Sequence, residues 1–141
     1  MEKKLLFVDT WAWYAMSNRN DKDHQKAKEL NRKFVSEGYR YVTTNFIFAE
    51  SYTLIIMRGK NHHAAIKFGE NLKQMIRLGA IDYLRITEDI EEDAWKIAKQ
   101  YDDKDFSYVD CTSFALMKKL SISIAFTDDD HFKQIGFQIA K

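Results

Sequence analysis

The segment Lys4-Leu5-Leu6-Phe7-Val8-Asp9-Thr10 introduces the pattern that the rest of the chain repeats. Four apolar residues, 5–8, lead directly into a carboxylate, and the next charged residue is Arg19. A short, continuous apolar run predicts a strand buried on both faces, as in a parallel sheet. A carboxylate beside a core costs on the order of several kcal/mol unless hydrogen bonds or a cation compensate it. We therefore expect Asp9 to have a partner, and a metal ion is one candidate.

The composition is that of a single globular domain, which we predict to span residues 1–141. Hydrophobic residues make up 45% of the 141 residues and include ten Phe, so material for one core is plentiful. Lys and Arg number 22 against 21 Asp and Glu, which gives a net charge of +1. This balance gives no general attraction to polyanions, so any binding of nucleic acid must come from a local patch.

The single cysteine and the hydropathy pattern predict a cytoplasmic protein. Cys111 alone excludes an intramolecular disulfide and a zinc site made only of cysteines. No apolar run has the length of a membrane span, and residues near the start lack the apolar region and cleavage site of a signal peptide.

Segments with strand and helix patterns alternate along the chain. Helix patterns, marked by capping residues and by Gly at their ends, separate the strand patterns. Strands are predicted at 5–8, 39–43, 81–86 and 122–126, with a short edge strand within 135–140. Helices are predicted at 11–16, 21–38, 46–57, 61–78, 88–101 and 107–120, with a further short helix opened by residues 127–132. The fold class is therefore α/β, with a central, mostly parallel sheet of four or five strands flanked by helices.

Three further acidic positions are as isolated as Asp9. Glu50 is the only charge from residue 41 to residue 57, in a helix apolar nearly all round, so we expect a buried helix with Glu50 in packed surroundings. Asp110 is the only charge between Asp105 and Lys118, and residues 128–130 are three acids after the fourth strand. Ligands of parallel sheets bind at the carboxyl ends of the strands, so these acids are expected to converge with Asp9.

Converging carboxylates predict a particular chemistry. Their oxygens are hard ligands suited to Mg²⁺ or Mn²⁺, and a few acids leave positions open for phosphate oxygens. Such a site can hydrolyse phosphodiesters by activating a water. Ser113 and Cys111 have no His near them in the sequence, so no activated protein nucleophile is expected.

Four segments resemble PIN-domain ribonucleases of the VapC toxin type, and the resemblance covers essentially the whole chain. They are Val8-Asp9-Thr10, Phe48-Ala49-Glu50-Ser51, Asp105-Phe106-Ser107-Tyr108-Val109-Asp110-Cys111-Thr112-Ser113-Phe114-Ala115, and Ala125-Phe126-Thr127-Asp128-Asp129-Asp130-His131-Phe132 with Gly136-Phe137 beyond. The last two segments are the most specific, both in residue identity and in spacing.

The resemblance implies a set of site residues that bind one or two Mg²⁺ or Mn²⁺ ions. The implied catalytic and metal-binding acids are Asp9, Glu50, Asp110 and Asp129, with Asp128 left open as the alternative to Asp129. Small hydroxyl groups that orient the acids or a water are implied at Thr10, Ser113 and Thr127.

The resemblance also implies an activity and partners. It implies a metal-dependent endoribonuclease, the toxin of a type II toxin–antitoxin pair. It further implies a homodimer that acts on RNA and is neutralised by a cognate antitoxin of the VapB type. Two alternatives stay open, namely a PIN-type RNA-processing nuclease without an antitoxin and a non-catalytic RNA-binding or regulatory module.

Several candidate residues have simpler structural explanations. Ser107-x-x-Asp110 fits a reciprocal capping box at a helix start. Asp9 is a preferred residue for capping the helix that follows it, and Glu50 could pair with a Lys or Arg. His24 and His131 are expected to pack or to form hydrogen bonds rather than to bind metal, because their spacing shows no converging partners.

Overall fold

The structure is a computed structural model that describes residues 4–140. Five strands and seven helices lie within these residues. In chain order they are β1 (Lys4–Val8), α1 (Thr10–Ser17), α2 (His24–Ser36), β2 (Tyr39–Thr44), α3 (Asn45–Met57), α4 (His62–Arg77), β3 (Ile81–Leu84), α5 (Glu88–Gln100), α6 (Tyr108–Lys119), β4 (Ile124–Phe126), α7 (His131–Gln134) and β5 (Gln138–Ala140).

The five strands form one sheet in the order β3-β2-β1-β4-β5, and every pairing is parallel. Right-handed connections place α1 to α4 on one face and α5 to α7 on the other. The helix contacts agree, because α1 packs on α2, α3 and α4 while α5 packs on α6. The strand order reverses direction between β1 and β4, and ligands of such sheets bind beside the carboxyl ends of the strands at this reversal.

The pairing of β1 with β4 fixes which residues meet at that edge. Phe7 pairs with Ala125 and Val8 with Phe126, and the Asp9 amide donates to the Phe126 carbonyl at 3.2 Å. The residues that follow the two strands, Asp9 and Thr127, are therefore neighbours.

An aromatic cluster lies under this edge and holds the second half of the chain in place. Phe7, Phe114 and Phe132 are fully buried, and the Phe132 ring contacts both of the others. The rings of Phe114 on α6 and Phe132 on α7 meet edge to face with centroids 4.8 Å apart, and the Phe106 ring contacts Phe114 at 5.0 Å. Edge-to-face pairs fix relative orientation as well as burying area, so α6 and α7 are set rigidly against each other.

The predicted fold class is confirmed, with all five strands parallel and β5 at an edge. The fourth strand is shorter than predicted. Ser121 has a φ of 57°, so the chain is still turning after α6 and pairing starts only at Ile124. Cys111 is buried, as its size suggests. Within residues 4–140 no helix combines the length and apolarity needed to cross a membrane.

The expectation that α3 is buried all round is wrong. Its buried residues, Ile47, Ser51 and Ile55, are spaced by four and form a single stripe. On the other side Met57 is 64% exposed, and Glu50 is exposed as well. Only one side of α3 is therefore buried within this chain, although apolar residues lie on both sides.

Candidate active site

Asp9 lies at the point where the two halves of the sheet meet. It is 6% exposed, and its Oδ2 accepts a hydrogen bond from the Thr127 hydroxyl at 2.8 Å. Its backbone precedes the first turn of α1, but its side chain makes no capping hydrogen bond to that helix. The capping explanation is therefore wrong for the Asp9 carboxylate, which points instead toward the residue after β4.

Burial raises the pKa of the Asp9 carboxyl from 3.8 to about 7. The Thr127 hydroxyl and the Thr10 backbone amide lower this pKa in part, while the charges of Asp110 and Glu50 raise it further. The two repulsive charges show that acids from both faces of the sheet act on one carboxyl group. Without a cation, Asp9 is the most costly charge at this edge.

Asp110 has two roles in the geometry. Its side chain accepts from the Ser107 backbone amide at 3.2 Å while the Ser107 hydroxyl accepts from the Asp110 amide at 3.0 Å, so the predicted capping box is present. The same Oδ2 lies 3.0 Å from Nδ1 of His131. Capping thus orients Asp110 toward the site rather than competing with it.

The pKa of Asp110 is raised, chiefly by burial. The hydrogen bond from His131 opposes this rise, and the nearby charge of Asp129 adds to it. The charge of Asp129 thus raises the pKa of Asp110, just as the charge of Asp110 raises the pKa of Asp9.

The segment after β4 is held by short-range hydrogen bonds. The Thr127 hydroxyl accepts from the Asp129 amide at 3.1 Å, and Oδ1 of Asp129 accepts from the His131 amide at 2.9 Å. Nδ1 of His131 is also 3.4 Å from Oδ1 of Asp129. One ligand atom each from Asp110, Asp129 and His131 lies within 4.8 Å of the other two. These three residues form the tightest group of potential metal ligands in residues 4–140.

Glu50 reaches the edge from α3 and is exposed rather than packed. Its Oε1 accepts a hydrogen bond from the Thr10 hydroxyl at 2.6 Å, which joins it to the residue next to Asp9. Within residues 4–140 no Lys or Arg nitrogen forms an ion pair with it. Glu50 also lines an open, mainly apolar groove of about 500 Å³, together with Phe46, Ala49, Thr53, Leu54, Met57 and Val109. The face of α3 that carries Glu50 therefore borders this groove rather than the core of the chain.

The remaining predicted residues differ in their placement. Asp128 is exposed, whereas Asp129 is half-buried and turned toward Asp110. Ser113 lies one turn after Asp110 and is 1% exposed, and its hydroxyl has no hydrogen-bond partner among the described residues.

His131 is the residue that sequence reasoning left out of the site. It is a hydrogen-bonding histidine, as expected, but its partners are two of the predicted acids. Its ring also packs edge to face on Phe106, with centroids 5.3 Å apart. One sequence feature could have indicated that His131 lies at the site. It follows Asp129 by two residues, and at that spacing a backbone amide can donate to the earlier carboxylate.

The donor set of this edge fits a divalent cation. Carboxylate oxygens are the ligands that Mg²⁺ and Mn²⁺ prefer in proteins. Burial is the main cause of the raised pKa values of Asp9 and Asp110, and the charges of neighbouring acids raise them further. A cation is the natural counter-charge for such a group.

Residues 6–138 match the PIN domain family. The chain belongs to the PIN domain family. The 23S rRNA-specific endonuclease VapC20 of Mycobacterium tuberculosis, from strains CDC 1551 / Oshkosh and H37Rv, is 33% identical to it over 133 residues, which cover 94% of this chain and 95% of VapC20. A crystal structure of VapC20, described as a sarcin–ricin loop cleaving toxin, superposes with a TM-score of 0.80 at 34% identity, covering 94% and 95% of the two chains. The PIN assignment confirms the predicted family and fold.

Proposed function

We propose that this PIN-domain protein is an endoribonuclease that depends on Mg²⁺ or Mn²⁺ and acts as the toxin of a type II toxin–antitoxin pair. The observation that carries the proposal is the convergence of acids from both faces of the sheet on the buried Asp9 at the strand-order reversal. The charges of Asp110 and Glu50 both act on Asp9, and Asp129 acts on Asp110. The likeness to VapC20 over nearly the full length of both chains supports the same assignment.

We assign the metal-binding role to Asp9, Asp110 and Asp129, with Glu50 as the fourth acid and His131 as a neighbouring donor. Asp129 is preferred to Asp128 because its carboxylate is tied to the His131 amide and lies beside Asp110. One or two bound ions supply Lewis acidity that lowers the pKa of a water and offsets charge on the leaving oxygen of a phosphodiester.

The protein's own residues hold the acids in position for that chemistry. Thr127 donates to Asp9 and accepts from the Asp129 amide, so one hydroxyl links the residues after β1 and β4. Thr10 holds the exposed Glu50 at the solvent side. The buried Ser113 hydroxyl, which has no partner among residues 4–140, is free to bind a water or to support Asp110.

The substrate and partners follow from the same proposal. RNA is the substrate class, and the large ribosomal RNA is the first target to test, because VapC20 is named for cleavage of 23S rRNA. We further propose that residues 1–141 form one nuclease domain and that the protein acts in the cytoplasm. A homodimer neutralised by a VapB-type antitoxin completes the proposal.

Incubation of the purified protein with ribosomal and total RNA tests the activity, with Mg²⁺, Mn²⁺ or EDTA in parallel reactions and sequencing of new 5′ ends. We expect discrete cleavage in the presence of either cation and none in EDTA. Asp9→Asn and Glu50→Gln should both reduce cleavage to the EDTA level. Asp102→Asn and Glu37→Gln, which alter exposed acids outside the proposed metal-binding set, are the matched controls and should cleave normally.

Expression in growing cells tests the toxin role. Growth should stop with the wild-type chain, continue with Asp9→Asn, and resume when a small protein encoded next to this chain is co-expressed. Full cleavage by both site variants would contradict the active-site assignment. Binding of RNA without cleavage at any cation concentration would instead identify a non-catalytic module.

A further inference from the structure

A polar pocket of about 300 Å³ lies on the helical face formed by α1 to α4. It is separate from the acidic edge, by which we mean the sheet edge where Asp9, Asp110 and Asp129 lie. It is bounded by the end of α1, the loop and start of α2, and one side of α4. Its polar lining consists of Arg19, Lys28, Lys67, His24, Ser17 and Asn71, and no carboxylate of the described residues lines it. We call this set the cationic pocket.

The three cations of the pocket are not neutralised by the protein. Within residues 4–140 no Asp or Glu oxygen lies within ion-pair distance of Arg19, Lys28 or Lys67. The two acids of the adjoining loop, Asp21 and Asp23, do not line the pocket, and each accepts a hydrogen bond from another group, the Asp23 amide and the Trp11 indole respectively. Three positive charges around one concavity repel one another, so the pocket favours an anion.

The His24 ring is held in a fixed orientation in this pocket. Its Nδ1 lies 2.7 Å from the Ala15 carbonyl, which can only accept, so Nδ1 carries the proton of that hydrogen bond. The ring is thereby tied to α1, and the Asn71 amide and the Ser17 hydroxyl add neutral hydrogen-bonding groups. A fixed imidazole ring beside flexible cationic side chains suits an anion that also has polar substituents, such as a phosphodiester.

The position of the pocket relative to the acids is set by α1. This helix begins at Thr10, beside Asp9, and ends at Ser17 in the pocket lining. Eight residues of helix span about 12 Å, so the two sites lie within reach of one nucleic-acid strand. The acidic edge repels a polyanion and the chain as a whole is nearly neutral, so a separate cationic site must supply the attraction.

We propose that the cationic pocket binds a backbone phosphate of the RNA substrate, at a nucleotide other than the one that is cleaved. This inference rests on the proposed endoribonuclease function and adds to it a substrate-holding site. Phosphate contacts fix the register of a strand and carry no sequence information. The pocket therefore positions the RNA on α1, and sequence preference arises elsewhere.

The test compares two triple variants that remove equal charge. The pocket variant is Arg19→Gln, Lys28→Gln, Lys67→Gln, and the control is Lys96→Gln, Lys99→Gln, Lys118→Gln on α5 and α6 of the opposite face. Affinity for a short single-stranded RNA is measured in the Asp9→Asn background between about 50 and 200 mM salt. Each lost phosphate contact should reduce the slope of log K against log salt by about 0.7 and weaken binding about fivefold near 0.1 M salt.

Cleavage kinetics separate this role from a structural one. With the wild-type Asp9, the pocket variant should show a raised KM and an unchanged kcat, because binding lost equally from substrate and transition state leaves kcat intact. The control variant should match the wild type in both. Amide chemical-shift changes at Ser17, Lys67 and Asn71 of the unmodified chain on addition of pentauridylate would locate the contact directly.

Two results would overturn the proposal while leaving the nuclease assignment intact. One is an equal salt slope and KM in the two triple variants. The other is an unchanged RNA affinity in the pocket variant together with loss of binding to a decaglutamate peptide, which would assign the pocket to an acidic protein. Failure of the wild-type chain to cleave RNA is a separate outcome that refutes the proposed function, and this inference with it.

Discussion

Replacing Asp9 by Asn keeps the shape of a buried side chain and removes its charge, and we expect the change to stabilise the cation-free protein at neutral pH. The amide oxygen of Asn still accepts the hydrogen bond that Thr127 donates at 2.8 Å. What the variant loses is the cost of burying a carboxylate whose neighbours include the charges of Asp110 and Glu50. This gain in stability should accompany a complete loss of cleavage.

The raised pKa of Asp9 gives the size and the sign of the effect. With 3.8 for the unfolded chain and about 7 for the folded protein, ionisation costs the native state about 4 kcal/mol, at 1.36 kcal/mol per pH unit. Between these two values the folded protein retains a proton that the unfolded chain has released, so stability falls as pH rises through this window. Above about pH 7 the loss is complete and stability no longer depends on this group.

Urea denaturation followed by intrinsic fluorescence, in EDTA and from about pH 4 to pH 8, measures the difference between variant and wild type. The advantage of Asp9→Asn should be near zero at the acid end and grow to roughly 2–4 kcal/mol at the alkaline end. Asp102→Asn, an exposed acid between α5 and α6, should show a flat difference. A flat or negative difference for Asp9→Asn would refute the argument that burial and nearby acids make this charge costly.

The same experiment with Mn²⁺ should reduce the stability advantage of Asp9→Asn over the wild type. A ligand that binds only the folded state stabilises it by about 2.7 kcal/mol at one hundred times its dissociation constant. The wild type should gain this stability, while Asp9→Asn should gain much less because one ligand has lost its charge. Equal stabilisation of both proteins by Mn²⁺ would place the cation away from Asp9.

Three further variants test the geometry around the site and in the sheet. Thr127→Val, which removes the hydroxyl that donates to Asp9, should reduce single-turnover cleavage about 10- to 100-fold, while Thr127→Ser should retain most of the activity. His131→Asn shortens the donor that reaches Asp110 and should weaken Mn²⁺ binding by about tenfold in a calorimetric titration without unfolding the protein. Arg40→Gln removes a two-pronged ion pair that joins β2 to β3 at 2.6 and 2.9 Å, and because both side chains are partly exposed, urea denaturation should show only a small loss of stability, with unchanged cleavage.

The fold could be predicted because each element carries its own local signal. The apolar run 5–8 marks a strand buried on both faces, and Thr44, Thr87 and Ser107 each accept a hydrogen bond from the amide three residues later at a helix start. The ends of the strands were less certain. Ile122 is buried and apolar, but it lies in the turn that follows Ser121 and takes no part in the sheet.

The surroundings of Glu50 could not be predicted, because hydrophobicity does not say which surface covers it. The apolar residues of α3 include one stripe that packs on this chain and another that lines an open groove. Both stripes are largely apolar, so hydrophobicity alone gives no reason to prefer one. Glu50 lies on the open side, and the hydrogen bond from Thr10, 40 residues away in the chain, was likewise beyond local reasoning.

The role of His131 illustrates the same limit for a long-range contact. Its partner Asp110 is 21 residues away, on a helix that precedes β4. Their meeting depends on how α6 packs over α7, which is set by the Phe114–Phe132 contact rather than by spacing. The convergence of the acids was predictable from the topology, whereas the side chain that joins two of them was not.

The aromatic cluster explains how the chain can fold around uncompensated acids. Fully burying one Phe contributes about 1.5–3 kcal/mol, and three Phe side chains of this cluster are fully buried. This burial does not depend on a cation, and the hydrogen bond from Thr127 holds Asp9 in its absence. The site should therefore form before a cation binds, in contrast to small metal-dependent domains that are unfolded without metal. On this argument the cation adds stability and chemistry to a preformed site, and removing it should lower the unfolding midpoint without abolishing the cooperative transition.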